Sequence, residues 1–191
     1  MKNYIIAVVM AMVFTGTLSA QSVNFGVKGG LNVYNVTNNS EFNSKAGVHL
    51  GLLGHVHLAN TSKWALQPEI MYSSQGARIG ESSNRLNLDY LNVPVLIQYM
   101  FDNGFRLQAG PQLGFLVNAN TVVGENKVDV KDDYKGVDLG LSFGASYVHP
   151  PSGFGIDARY NLGMTDISRG TTEHRNNGFQ LGVFYLFNHR H

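Results

Sequence analysis

The stretch Val137-Asp138-Leu139-Gly140-Leu141-Ser142-Phe143-Gly144-Ala145-Ser146-Tyr147 decides the fold, together with its neighbour Phe154-Gly155-Ile156-Asp157-Ala158-Arg159-Tyr160-Asn161-Leu162-Gly163. Between them lies a turn rich in breakers, Pro150-Pro151-Ser152-Gly153. Every second position is apolar, the period with which side chains alternate across a β-strand. The other face carries glycine, serine, Asp138, Asp157 and Arg159, so the two faces are meant for different surroundings.

Six more segments repeat this pattern, and no sustained period of 3.6 appears after residue 20. Val23, Phe25, Val27, Leu31 and Val33 alternate with Asn24, Gly26, Lys28, Gly30 and Asn32. Further segments run from Val48 to Leu58, Trp64 to Ser73, Leu86 to Phe101, Phe105 to Val117 and Phe179 to Phe187. The expectation is eight strands of roughly ten residues, the length with which a tilted strand crosses a bilayer. Pro68 cannot donate a ladder hydrogen bond and predicts an irregularity. The apolar phase changes from Leu86, Leu88, Tyr90 to Leu91, Val93, Val95, which predicts a bulge near Tyr90.

Connections 35–44, 76–85, 118–135 and 165–176 read as long and polar. Connections 59–62, 102–104 and 149–153 are short and hold turn formers. Long and short alternate strictly, as in an all-β, closed, eight-stranded antiparallel up-and-down transmembrane barrel whose short turns and termini face the periplasm. Aromatic rims are expected from Trp64, Phe101, Phe105, Tyr147, Phe154 and Phe187 at the short turns, and from Tyr34, Tyr72, Tyr90 and Phe115 at the other end. Residues 1–20 have a basic start, an apolar run from Tyr4 to Phe14 and small residues up to Ala20, and so read as a secretory signal peptide; 21–191 form the barrel domain.

Composition agrees. The 191 residues include 22 Gly and no Cys, and only 14% are charged. Zero Cys excludes disulfides, thiolate metal sites and Cys nucleophiles. With 14 Lys+Arg against 13 Asp+Glu, no basic surplus points to nucleic acid. A soluble eight-stranded barrel would alternate too, with its apolar face inward. Here the opposite face holds the glycines, and an eight-stranded interior has room for small side chains but not for this many Phe, Leu and Tyr. The apolar face is therefore assigned to lipid. Lys28, Glu69, Arg106, Asp138, Asp157 and Arg159 then point inward, three of each sign, and form a candidate interior polar network that plugs the barrel. The alternative use of the same residues is a narrow, low-conductance path for ions or small solutes.

Three motifs, Leu66-Gln67-Pro68-Glu69-Ile70-Met71-Tyr72-Ser73-Ser74-Gln75-Gly76-Ala77, Tyr90-Leu91-Asn92-Val93-Pro94-Val95-Leu96-Ile97 and Ala109-Gly110-Pro111-Gln112-Leu113-Gly114-Phe115-Leu116, occur in order. The chain resembles in them the outer-membrane β-barrel domain of PorT-type "porin family" proteins. That resemblance implies an integral protein of the Gram-negative outer membrane, with outer-membrane lipid and lipopolysaccharide around it. The last segment, with Gln180, Gly182, Tyr185 and Phe187, is similar to the signal read by the barrel-assembly machinery, an implied partner during insertion.

Candidate chemistry is sparse, and the expectation is no enzyme, cofactor or metal, with a loop ligand unidentified. His49, His55 and His57 share a strand face near Glu69, a spacing that could hold a divalent cation or simply fill a polar interior. Ser168, Glu173 and His174 in the last long loop offer an outer-leaflet lipid-modifying alternative, although none sits in a nucleophile motif. The acidic stretch from Glu125 to Asp133 lacks the residue order of a calcium loop.

Overall fold

The computed structural model describes residues 23–37, 42–58, 63–80, 84–170 and 174–187. The expected signal peptide lies outside these residues. Among the described residues there are nine strands: β1 (Val23–Val36), β2 (Phe42–His57), β3 (Trp64–Ile79), β4 (Arg85–Met100), β5 (Phe105–Val123), β6 (Asn126–Asp129), β7 (Val137–Val148), β8 (Phe154–Gly163) and β9 (Asn176–Leu186). Eight of them form the wall. Each pairs antiparallel with its neighbour, and β1 pairs with β9 from Gly26↔Leu186 to Val36↔Asn176, which closes the ring. Closure leaves no sheet edge in the wall and satisfies the backbone donors that lipid cannot.

β6 is not a wall strand. It folds back on the end of β5, with Val123↔Asn126 beside the turn and Gly124 at φ 60°. That hairpin and a short 3-10 turn, Lys131–Asp133, occupy what the sequence reads as one long loop.

The alternation inverts a soluble core. Phe25, Leu31, Leu50, Phe154 and Val183 are all about 60% exposed or more, while Lys28, Glu69, Asp157 and Arg159 are at most 2% exposed. Exposed apolar side chains all around the wall make sense only against hydrocarbon. Close packing inside is set partly by glycine. A Cβ at Gly182 would stand 2.9 Å from His49 Nε2, and one at Gly178 would run into the Tyr34 ring.

Three expectations change. First, the strands are longer than the apolar runs. β2, β3 and β4 have 16 residues each and β5 has 19, so half of 35–44 and half of 76–85 is strand. Polar residues there mark a wall that has left the membrane, and the ladder continues through them. Second, β4 alternates without a break. The extra residue is Val117 of β5, skipped between Asp89↔Asn118 and Tyr90↔Leu116. The phase change in β4 has another cause: the lumen itself becomes apolar at Leu86, Leu88 and Tyr90. Third, Tyr34 and Tyr90 point inward and are buried, so they are not part of an outer rim. The short-turn rim does exist as ring contacts running Trp64–Tyr99–Phe101–Phe105 and Phe154–Tyr185–Phe187.

Candidate functional site in the lumen and at the loop rim

Four of the six interior charges meet at mid-height. Arg159 of β8 grips Glu69 of β3 with two hydrogen bonds, Nη1 to Oε2 at 2.9 Å and Nη2 to Oε1 at 2.8 Å. Around the ring β3 and β8 are four strands apart, so this fork ties opposite walls. Lys28 Nζ donates to Asp157 Oδ1 at 2.5 Å and lies 3.8 Å from Glu69. Two cations against two carboxylates leave the cluster neutral. Gln67 Nε2 donates to Glu69 at 2.7 Å, and Gln98 passes a hydrogen bond to Gln108, which donates to Asp157. Buried charge persists only when paired and hydrogen-bonded, and here each carboxylate has several donors.

Arg106 and Asp138 stand apart from this cluster. Arg106 lies at the short-turn end, next to Ser146 across the β5–β7 pair, and makes no ion pair among the described residues. Asp138 lies at the other end and accepts from Thr165 Oγ1 at 2.7 Å. Alternation places a side chain on a face and says nothing of depth. Both residues are the second of their strands, entered from opposite ends, and that offset is the signal that separates them. The inward-facing glutamines were the residues the charge-based reading passed over. Their parity could have found them.

Apolar layers cap the ionic cluster. Toward the short turns Leu53, Val148, Phe184 and Leu186 pack together. Toward the long connections Val36, Ala77, Leu86, Leu88, Tyr90, Leu116, Ala119 and Ile167 form a larger one. Below that larger layer, Tyr34 Oη accepts from Asn161 at 2.8 Å and Gln180 at 3.3 Å, and Asn32 donates to Ser73 at 2.9 Å. His49 is buried in this zone. Of the assembly-signal residues, Gln180 and Gly182 face inward, whereas Tyr185 and Phe187 sit in the short-turn ring of aromatics.

Ile167 enters the upper layer from the last loop, and no sequence pattern announces it. Its backbone N–H donates to His174 O at 2.8 Å, and its carbonyl accepts from Lys135 N at 2.8 Å. Asp166 staples this loop: its carboxylate accepts from Lys135 Nζ at 2.6 Å and from the backbone N–H of His174 and Ser168 at 2.8 and 3.0 Å. Those donors, the lysine first, hold its pKa down at about 2. A shallow pocket of about 300 Å³ opens beside the staple, lined by Asp132, Asp133, Tyr134, Ser168, Arg169, Gly170 and His174. Ser168 Oγ accepts from Gly170 N–H at 2.9 Å, and Asp166 accepts from the backbone N–H of His174. Glu173 lies outside the described residues. Among the described residues no three His, Asp or Glu side chains form a metal-binding group.

A closed wall, apolar outside and ion-paired inside, defines a transmembrane β-barrel protein. The sequence matches the outer membrane protein beta-barrel domain over residues 19–169, and the chain belongs to that family. It is an integral protein of the outer membrane. Neisserial surface protein A has a similar structure, with a TM-score of 0.60 and 16% identity over 87% of this chain and 99% of that one. Ail, the attachment invasion locus protein of Yersinia pestis, gives 0.52 and 16% over 86% and 98%. At these identities the likeness establishes the fold. A search of curated protein sequences gives no match.

Proposed function

We propose that the protein is a non-enzymatic outer-membrane anchor whose lumen is plugged and whose long connections are presented outside the cell for structural or binding roles. The observation that carries this reading is the neutral Lys28–Asp157–Glu69–Arg159 cluster held between two apolar layers. An ion crossing it would have to displace paired charges and then pass side chains that offer it no ligand, which argues against the pore alternative. The engaged Ser168 hydroxyl argues against the lipid-modifying one. In this reading residues 1–20 are a cleaved signal peptide, the last strand with Gln180, Gly182, Tyr185 and Phe187 recruits the assembly machinery, and lipopolysaccharide surrounds the extracellular rim. The finer PorT-type kinship rests on the three motifs from Leu66, Tyr90 and Ala109.

Because the chain has no cysteine, Glu125→Cys at the β5–β6 turn gives a single reporter. A membrane-impermeant maleimide is expected to label it on intact cells, in protein that fractionates with the outer membrane. Labelling that requires permeabilised cells overturns the orientation.

A further inference from the structure

The outer surface of β2–β5 changes character row by row above the apolar belt. The last apolar row is Tyr72, Leu91 and Phe115. Next come Ser74, Asp89 and Asn118, then Gly76, Asn87 and Asn120. The row after that runs Arg78, Arg85, Val122, Lys127. Arg78 and Arg85 are direct cross-strand partners, both exposed. Like charges in that position repel. Neither makes an ion pair among the described residues.

Two carboxylates described on this face are already engaged. Asp89 accepts from Asn118 at 3.0 Å and is hydrogen-bonded to Tyr72, and Asp129, at the end of the Asn87–Asn120 row, accepts from Lys131 N–H at 2.9 Å. Lys45 adds a third cation at the Asp89 level, its Nζ reaching Gln75 O at 2.7 Å. Asp89 also acts electrostatically on Lys45, whereas no carboxylate among the described residues pairs with Arg78 or Arg85, so the arrangement is a cationic stripe that rises from the belt and is least compensated at its top.

Height selects the anion. Arg78 lies six residues beyond Tyr72. At ~3.3 Å per residue and a tilt of about 40°, its Cα stands roughly 15 Å above the belt. The polar layer of an ordinary phospholipid leaflet extends only about 5–7 Å beyond the hydrocarbon. A phospholipid phosphate meets Lys45 and falls short of the arginines. A lipid whose head is an acidic oligosaccharide reaches both.

We propose that Lys45, Arg78 and Arg85 form a docking stripe for the acidic head oligosaccharide of an outer-leaflet glycolipid, with its acyl chains along the Tyr72–Leu91–Phe115 row. This rests on the orientation proposed above. The test uses the full mature chain in nanodiscs and measures retention of three probes by native mass spectrometry: a glycolipid with a phosphorylated core oligosaccharide, the same glycolipid trimmed to its lipid A, and the delipidated core oligosaccharide. Wild type is expected to hold the core-bearing glycolipid roughly ten-fold more tightly than lipid A, the value of about one charge-assisted hydrogen bond. Arg78→Gln with Arg85→Gln is expected to erase that preference while keeping heat-modifiable migration.

Equal retention of the two glycolipids by wild type, or an undiminished preference in the double variant, overturns the proposal. So does delipidated oligosaccharide binding as tightly as the intact glycolipid, which makes the stripe a receptor for free glycan. If the Glu125→Cys reporter is labelled on intact cells and no core preference is found, this inference alone fails; if it is labelled only after permeabilisation, the orientation fails first.

Discussion

Two levels of the same lumen are built on opposite chemistry. At mid-height the inward positions hold Lys28, Glu69, Asp157 and Arg159; toward the long connections the same inward parity holds Leu86, Leu88 and Tyr90. In β4 the inward series continues through Asn92 and Gln98 with no change of geometry. Hydrophobic alternation therefore reports the contrast between two faces, not which face is inside. Within the membrane the greasy side is out. Above it, where water replaces lipid, the greasy side is in, and the wall behaves as an ordinary small β-protein with a core.

The ionic level should be the more fragile to single changes. Arg159→Met leaves Glu69 buried with Lys28 at 3.8 Å as its remaining ion-pair partner, and is expected to cost about 3–5 kcal/mol. Adding Glu69→Met should recover a large part of that, because no lone charge is left behind. Urea titrations of folded fraction, read by heat-modifiable migration, measure both. A double variant weaker than the single would show that the cluster stabilises by more than charge balance.

Leu88 is fully buried in the apolar level, and Leu88→Ala is expected to cost about 2–3 kcal/mol through lost contacts and a residual cavity. The informative companion is Leu91→Ala, on the lipid face of the same strand, which leaves no enclosed cavity and should cost less. Equal losses at 88 and 91 in the same titration would contradict the inversion.

The smallest effect concerns the lid of that apolar level. Asp166 has a folded pKa near 2, below that of a free carboxylate. Its stapling is therefore complete above about pH 4 and lost as pH falls through 2. Hydrogen exchange at the His174 and Ser168 amides, which it accepts from, taken relative to the intrinsic rate at each pH, should stay slow down to about pH 4 and quicken as pH falls through about 2. Asp166→Asn should make it fast at every pH. Protection unchanged by the substitution would mean that the Lys135 and Ile167 backbone contacts suffice.

Much of the frame was legible because lipid exposure writes a strong period-2 signal. Strand number, closure and the inward direction of the charges all follow from it. What was hidden depends on depth and on solvent. The strand ends that run up to Val36 and Ile79 and start from Phe42 and Arg85 read as loops because their polar residues face water while the ladder persists to those bounds. Arg106 and Asp138 share a face with the ionic cluster but not its height. The bulge at Val117 is invisible in sequence because an apolar residue is the one skipped. Ile167 sits in an irregular loop with no period to betray it.

Electrical recording from the purified full barrel in a planar bilayer puts the plugged lumen to the most direct trial. With Arg159 forked on Glu69 and apolar layers on either side, the expected result is a baseline without steady open steps across a wide range of voltage and salt. A stable, reproducible open conductance from the wild-type protein would contradict the account.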